Sequence, residues 1–290
     1  MRLSLPAYVF LIARLCKFRI SLPVALTAFT GYLAHNGRWS YDAIAPVAGV
    51  FLLASAASAL NQVQERNTDR RMARTAGRPL PSGQLSLKSA VLWIVLFTIA
   101  GSLLLAFKGG LMATALGWLT YLWYNGIYTP LKKKTAFAAV PGGVVGALPP
   151  MIGWVASGGS PVSPAALSLA LFMFLVQVPH FWLLLLRFGN EYREAGLKSL
   201  TERLDTVRIH RLTIAWITAT ASSAIIMPVF FSFRFPLSVW LLWLSSAAMA
   251  IAFLILLPGS AKARDYRKPF ITINIYVFLV IMIICLDVLL

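Results

Sequence analysis

Residues 43–69 read Ala43-Ile-Ala-Pro-Val-Ala-Gly-Val50-Phe-Leu-Leu-Ala-Ser-Ala-Ala-Ser-Ala-Leu60-Asn61-Gln-Val-Gln-Glu65-Arg-Asn-Thr-Asp69. Up to Leu60 the stretch is uncharged and rich in small and apolar residues. As a helix that length approaches the ~30 Å of a bilayer core. From Asn61 onward it turns polar. Acids are costly at the edge of a bilayer, so a cluster there needs a reason. Asn61, Glu65 and Asp69 recur every fourth residue. On a helix they span an arc of roughly 80° and rise about 12 Å. One face thus presents three oxygen-bearing side chains, with arginines close by, which suits a hard divalent cation and a phosphorylated substrate. The competing reading is a solvated helix end balanced by arginines. Asn61 argues against it, because it lies inside the apolar boundary, where a lone polar group is unfavourable.

The rest of the chain fits that membrane setting. Of its 290 residues, 59% are hydrophobic and 12% charged, with a mean hydropathy of +0.77. This composition predicts an all-α polytopic membrane protein and excludes a soluble domain. Apolar runs long enough to span a bilayer occur near 18–36, 43–64, 88–107, 109–128, 136–157, 164–186, 210–232, 236–258 and 269–290. They predict nine transmembrane helices around a central cavity in one domain over 1–290, with residues 1–14 as an interfacial helix. Arg14, Lys17 and Arg19 follow the first short apolar stretch, and no small-residue cleavage site is evident. The N-terminus is therefore not expected to be a cleavable signal. Cys16 and Cys285 sit near opposite ends of the chain and form neither a CxxC motif nor a disulfide framework.

The net charge of +17 reflects topology, not a nucleic-acid partner, because the charges lie in short loops between apolar runs. Placing the N-terminus in the cytoplasm puts 23 of the 26 lysines and arginines on that side. Arg2, Lys262, Arg264 and Lys268 are among them; Arg38, Lys108 and Arg234 are the exceptions. The asymmetry predicts an N-in, C-out orientation. Glu65, Asp69, Glu191, Glu194, Glu202, Asp205 and Asp265 also fall on the cytoplasmic side, seven of the nine acids. The positive-inside rule does not require that, so the cytoplasmic face is read as chemically equipped. Its loops are about 61–88, 128–136 and 187–210.

Beyond Asp69, Pro79 and Pro81 stop the helix, expected to run to about 72, and Ser82-Gly83 make a turn. Arg66, Arg70 and Arg74 form their own stripe on a different face and read as lipid-headgroup anchors as readily as ligands. Arg78, past the break, is free to fold back toward the acids. A second constellation runs Gln177-Val-Pro179-His180-Phe-Trp-Leu-Leu-Leu-Leu-Arg187-Phe-Gly-Asn190-Glu191-Tyr192-Arg193-Glu194-Ala-Gly196-Leu-Lys198. Arg187, Glu191, Glu194 and Lys198 fall within about 40° of His180 on one helical face, with Asn190 at the margin, unless Gly189 bends the helix. A solvated face is the plain alternative. His180 reads equally as a buried, hydrogen-bonded histidine and as a ligand or base. Tyr128-Thr-Pro-Leu-Lys132-Lys133-Lys134 reads first as a membrane anchor and second as a diphosphate partner. Pro141-Gly-Gly-Val-Val-Gly146-Ala-Leu-Pro149-Pro150 implies close helix packing or a backbone lining a cavity.

Together these residues resemble the UbiA superfamily of intramembrane prenyltransferases. The resemblance rests on Asn61-xxx-Glu65-xxx-Asp69 with Arg74-Thr75 and Arg78-Pro79-Leu80, and covers about 15 to 285. Within the superfamily the chain is most similar to the branch that farnesylates protoheme IX. Tyr128-Thr with the lysine run, Gly146-Ala-Leu-Pro-Pro150-xx-Gly153-Trp154, Gln177-x-Pro179-His180-Phe181 and Tyr192-xx-Ala195-Gly196 carry that likeness. One motif departs from the branch. Its usual Asp-rich pair and Pro-Met-Leu-Pro run are here Asn190-Glu191 and Leu197-Lys198-Ser199-Leu200.

The resemblance implies transfer of a farnesyl group from farnesyl diphosphate to a vinyl group of heme B, giving heme O. It implies Mg²⁺ held by Asn61, Glu65 and Asp69, with Glu191 and Asn190 or Glu194 helping to bind a second ion. Asn61, Glu65, Asp69 and Glu191 would then be the catalytic set. Arg78, Lys132, Tyr128, Arg187 and Lys198 would hold the diphosphate, and His180 would face the heme. The implied location is a bacterial-type inner membrane with the active site facing the cytoplasm, next to a downstream heme-modifying membrane enzyme. Two rivals remain at this level: prenylation of a smaller aromatic acceptor such as a quinone precursor, and transport. Transporters usually place ionisable groups near the midplane, whereas these acids gather at one surface.

Overall fold

The computed structural model describes residues 4–257 and 266–290; Arg2, Lys262, Arg264 and Asp265 lie outside the described residues. Every regular element among the described residues is helical. The helices are α1 (Leu5–Leu15), α2 (Phe18–Asn36), α3 (Ile44–Asp69), α4 (Ala73–Ala76), α5 (Leu87–Leu104), α6 (Gly110–Leu122), α7 (Thr129–Lys134), α8 (Ala139–Ala156), α9 (Pro164–Glu194), α10 (Thr206–Ile226), α11 (Pro236–Leu256) and α12 (Arg267–Leu289).

Among the described residues, seven segments are long and apolar enough to cross a membrane. Two features separate that number from the nine spans read in the sequence. The first is the single 48-residue segment Leu87–Lys134. A straight helix of that length would reach about 72 Å, more than twice a bilayer core. The chain instead reverses at Gly109–Gly110, where Gly110 takes φ 81, a left-handed conformation that glycine adopts at little cost. Across the reversal, the Leu105 side chain lies against Gly117 on the returning arm. The second is α2, whose 19 residues include Arg19, Pro23, His35 and Asn36 and are correspondingly less apolar.

Small residues let the helices approach. A side chain at Gly31 would collide with the Pro150 carbonyl, and one at Gly153 with the Ala28 carbonyl, so α2 and α8 touch backbone to backbone. Gly49 and Gly101 do the same for α3 and α5. The expectation for the 141–150 stretch holds in both its forms, since Gly142, Gly146 and Pro149 also line the central cavity.

One core cluster joins α9 to α12 around Phe172 and Phe253. Another joins α2, α3, α6 and α8 around Leu53 and Ile152. The cavity lies between them. At the end away from the acid stripe, the Asp287 carboxylate accepts N–H bonds from Arg234 (2.9 Å) and Phe235 (3.1 Å). Cys16 and Cys285 are both buried and unpaired.

Two local departures from the sequence reading shape the site. Helix α3 ends at Asp69 and not near 72. Thr75 Oγ donates to the Asp69 carbonyl at 2.9 Å, which satisfies a helix-end group, and Met72 is extended. Arg74 therefore leaves the predicted Arg66–Arg70–Arg74 stripe and begins a new turn. Helix α9 loses helical geometry at Phe188 (φ −119, ψ 19), one residue before Gly189. The continuous helical face expected from His180 to Lys198 is therefore interrupted.

Candidate active site

A cavity of about 940 Å³ opens among α2, α3, α6, α8, α9 and α12. Its polar end is built on α3. Asn61, Glu65 and Asp69 are buried, at 1%, 6% and 4% exposure, although they close the polar end of their helix. Burial of carboxylates demands partners, and each residue of the stripe has one cation. Lys17 Nζ donates to Asn61 Oδ1 at 2.7 Å. Lys132 Nζ lies 2.6 Å from Glu65 Oε1. Arg78 donates from Nη1 to Asp69 Oδ2 at 2.6 Å. Asn61 Nδ2 also donates to Glu65 Oε2 (2.9 Å) and to Thr129 Oγ1 (3.0 Å). The stripe is thus one connected unit reached from three directions.

Lys17 is the residue that sequence reasoning missed as a site member. In the sequence it reads as one of the cytoplasmic-side basic residues. Its partner is 44 residues away in the chain, so no local spacing betrays it. It links α1 to α2 in a left-handed conformation, φ 48, the only such non-glycine among the described residues. Strain of this kind persists where surrounding structure holds it. Burial pushes the Lys17 ammonium down to about 7, with Arg78 and Lys132 adding to the effect and Glu65 and Asp69 opposing it. Gln62 fixes the same linker, donating to the carbonyls of Arg14 (2.9 Å) and Leu15 (2.7 Å).

An aromatic wall rises from the polar end. Lys132 sits 5.0 Å from the centre of the Tyr128 ring. Tyr128 stacks on Tyr124 and Phe181 at 5.8 and 5.5 Å, and it packs into the space left by Gly142. Beyond Phe181, His180 lines the cavity with its ring 4.8 Å from that of Phe270.

The second constellation is placed differently. Arg187, Asn190, Glu191, Glu194 and Lys198 are not among the residues lining this cavity, although Tyr192 and Leu197 beyond the break at Phe188 are. Glu191 instead accepts the backbone N–H of Arg74 at 3.2 Å, holding the start of α4. Asn190 Oδ1 accepts from Arg193 at 3.4 Å. Lys198 lines a smaller neighbouring pocket with Lys132, Tyr128 and Tyr192. Arg187 and Arg74 each place a guanidinium by the Phe188 ring, at 4.9 and 5.2 Å.

Among the described residues no three Asp, Glu, His or Cys side chains form a metal-ligand group. The donor set at the stripe is two carboxylates and one amide oxygen. These are hard ligands, suited to a hard divalent ion. Their present cation partners show that positive charge is what the buried oxygens select.

The family model for the UbiA prenyltransferase family matches residues 24–280. This chain belongs to the UbiA prenyltransferase family. It is 39% identical over 216 residues to the protoheme IX farnesyltransferase of Oleidesulfovibrio alaskensis, covering 74% of this chain and 76% of that protein. The protoheme IX farnesyltransferase of Geobacter sulfurreducens is 40% identical, with coverages of 73% and 78%. That of an Acidovorax species is 33% identical over 91% of this chain and 85% of its own length. Among solved structures, a UbiA homolog from Aeropyrum pernix superposes with a TM-score of 0.74 at 19% identity, covering 93% of this chain and 97% of that one. A homolog from Archaeoglobus fulgidus bound to GPP and Mg²⁺ gives 0.68 at 14% identity, with coverages of 96% and 98%. The chain is therefore an integral, multi-pass membrane protein of the UbiA fold and a prenyltransferase by family.

Proposed function

We propose that this chain transfers the farnesyl group of farnesyl diphosphate to a vinyl group of protoheme IX, producing heme O. The reaction type rests on one observation above all: a buried oxygen stripe, ringed by cations, at the polar end of an apolar cavity large enough for a prenyl tail. The acceptor rests on the relatives, which carry the same name across most of this chain. The cavity volume of about 940 Å³ favours a tetrapyrrole over a small aromatic acid.

Asn61, Glu65 and Asp69 would hold the metal, with Mg²⁺ the ion that their hard oxygens suit. A bound divalent ion stabilises negative charge on the departing diphosphate. The chain's own contribution begins with an exchange of partners. Lys17, Lys132 and Arg78, released from the stripe, turn to the diphosphate oxygens and stabilise charge as the C–O bond lengthens. Tyr128, with Phe181 and Tyr124, walls the allylic carbon from water. His180 faces the tetrapyrrole deeper in the cavity. Glu191 acts on Arg74 and the α4 turn, and so orders the loop that carries Arg78. The positive-inside asymmetry supports nine spans with the N-terminus in the cytoplasm and the C-terminus outside. This count takes α5 and α6 separately and adds α2. The stripe then opens to the cytoplasm at a bacterial-type inner membrane.

The test is direct competition between acceptors. Purified protein with labelled farnesyl diphosphate and Mg²⁺ should label heme B and leave 4-hydroxybenzoate unlabelled. Labelling of the aromatic acid alone would overturn the acceptor assignment while leaving the family intact.

A further inference from the structure

The cavity wall carries more positive charge than a metal and a prenyl diphosphate use. Lys17, Arg19, Arg74, Arg78 and Lys132 all line it, against only Glu65 and Asp69. A diphosphate brings roughly three negative charges at neutral pH, and one divalent ion offsets most of them. With Glu65, Asp69, Lys17, Lys132 and Arg78 counted, the inner site comes out near neutral. Arg19 and Arg74 are left over, and a second metal ion would only add to the excess. Neither arginine forms an ion pair among the described residues. Arg74 is held in place from behind, by Glu191 on its N–H and by the Phe188 ring under its guanidinium. Both arginines line the cavity and are exposed. Two exposed arginines lining one cavity, neither of them in a salt bridge among the described residues and only Arg74 near a further carboxylate, that of Glu191 behind it, attract a dianion.

We propose that Arg19 and Arg74 bind the two carboxylates of a dianionic acceptor. On the reading above, which this proposal rests on, these are the propionates of protoheme IX. Both substrates are then amphiphiles oriented alike. Each sets its anionic groups at the polar rim and its apolar part inside. In protoheme the vinyl groups lie across the macrocycle from the propionates, so anchoring the propionates outside points the vinyl edge inward, toward the carbon that leaves the diphosphate. Arginine suits the task because its planar fork matches a carboxylate. Arg19 and Arg74 are positioning residues; neither touches the reacting carbon.

The experiment compares protoheme with its dimethyl ester, which has the same ring and vinyl groups but no carboxylates. Wild-type protein in detergent is titrated with each and followed at the Soret band. In parallel, kcat/KM is measured for each acceptor at saturating farnesyl diphosphate. Wild type should prefer the diacid by about tenfold or more, as expected for hydrogen bonds between charged groups. The Arg19→Gln/Arg74→Gln double variant should lose most of that preference, and Arg19→Lys/Arg74→Lys should keep part of it. A preference that survives in the glutamine variant, or a wild type indifferent to esterification, overturns the proposal. Equal weakening toward both acceptors, the mark of a structural role, overturns it too. Wild type that turns over heme without discriminating the ester sinks only this inference. Wild type that binds neither porphyrin yet prenylates a simpler aromatic sinks the function proposed above.

Discussion

Lys132 and Glu65 show how closely stability and chemistry are joined in this site. Their side chains are 19% and 8% exposed and 2.6 Å apart. Removing one partner of such a pair strands a buried charge, at a cost of about 3–5 kcal/mol. Lys132→Met should therefore lower the melting temperature in detergent as well as abolish turnover. Adding Glu65→Gln to it removes the stranded charge and should restore most of the stability while leaving the enzyme inactive. A double variant as unstable as Lys132→Met would contradict the pairing. The stripe itself was legible in the sequence because spacing on one helix is a local property. Lys132 and Arg78 were legible as candidates by their place in cytoplasmic loops. Lys17 was not, since its role depends on a linker folding under α3, and a lysine beside an apolar run has an ordinary membrane explanation.

At the scale of elements, helix ends decided what the sequence could not. Apolar runs gave the helices nearly to their observed bounds, because a membrane helix announces itself by composition. Periodicity, however, extends only as far as the helix does. The arc drawn through Arg74 failed when α3 stopped at Asp69, and the arc through Glu191 failed when α9 broke at Phe188. The 141–150 stretch reads in the sequence as a place of close packing or cavity lining, and its Pro150 meets Gly31 backbone to backbone. Gly153 lies where α8 meets the Ala28 carbonyl of α2, so any larger residue must push the helices apart. Gly153→Leu should destabilise the fold by at least about 1–3 kcal/mol, the usual cost of overpacking. A detergent melting curve checks this, and an unshifted midpoint would mean that α2 and α8 are not in backbone contact. Because α2 and α8 both line the cavity, the same variant should also lose activity.

At the scale of the molecule, charge and apolarity speak to different questions. Length and apolarity alone count seven segments among the described residues, while the distribution of lysine and arginine favours nine with the C-terminus outside. Reporter fusions separate the two. With nine spans, a periplasm-active phosphatase fused after Leu290 should be active and one inserted near Ser82 silent; seven spans from the same N-terminus would leave both active, and the reverse pattern would invert the bundle. The whole-molecule claim is that the α3 stripe drives farnesyl transfer to heme from one end of the cavity. Mass spectrometry of products from purified protein, heme B, farnesyl diphosphate and Mg²⁺ tests it most directly, with wild type beside Asp69→Asn and an EDTA-treated control. The expected result is heme O from wild type, and none from a folded Asp69→Asn protein or under EDTA. Heme O formed at the wild-type rate by Asp69→Asn, or in EDTA without added metal, would contradict it.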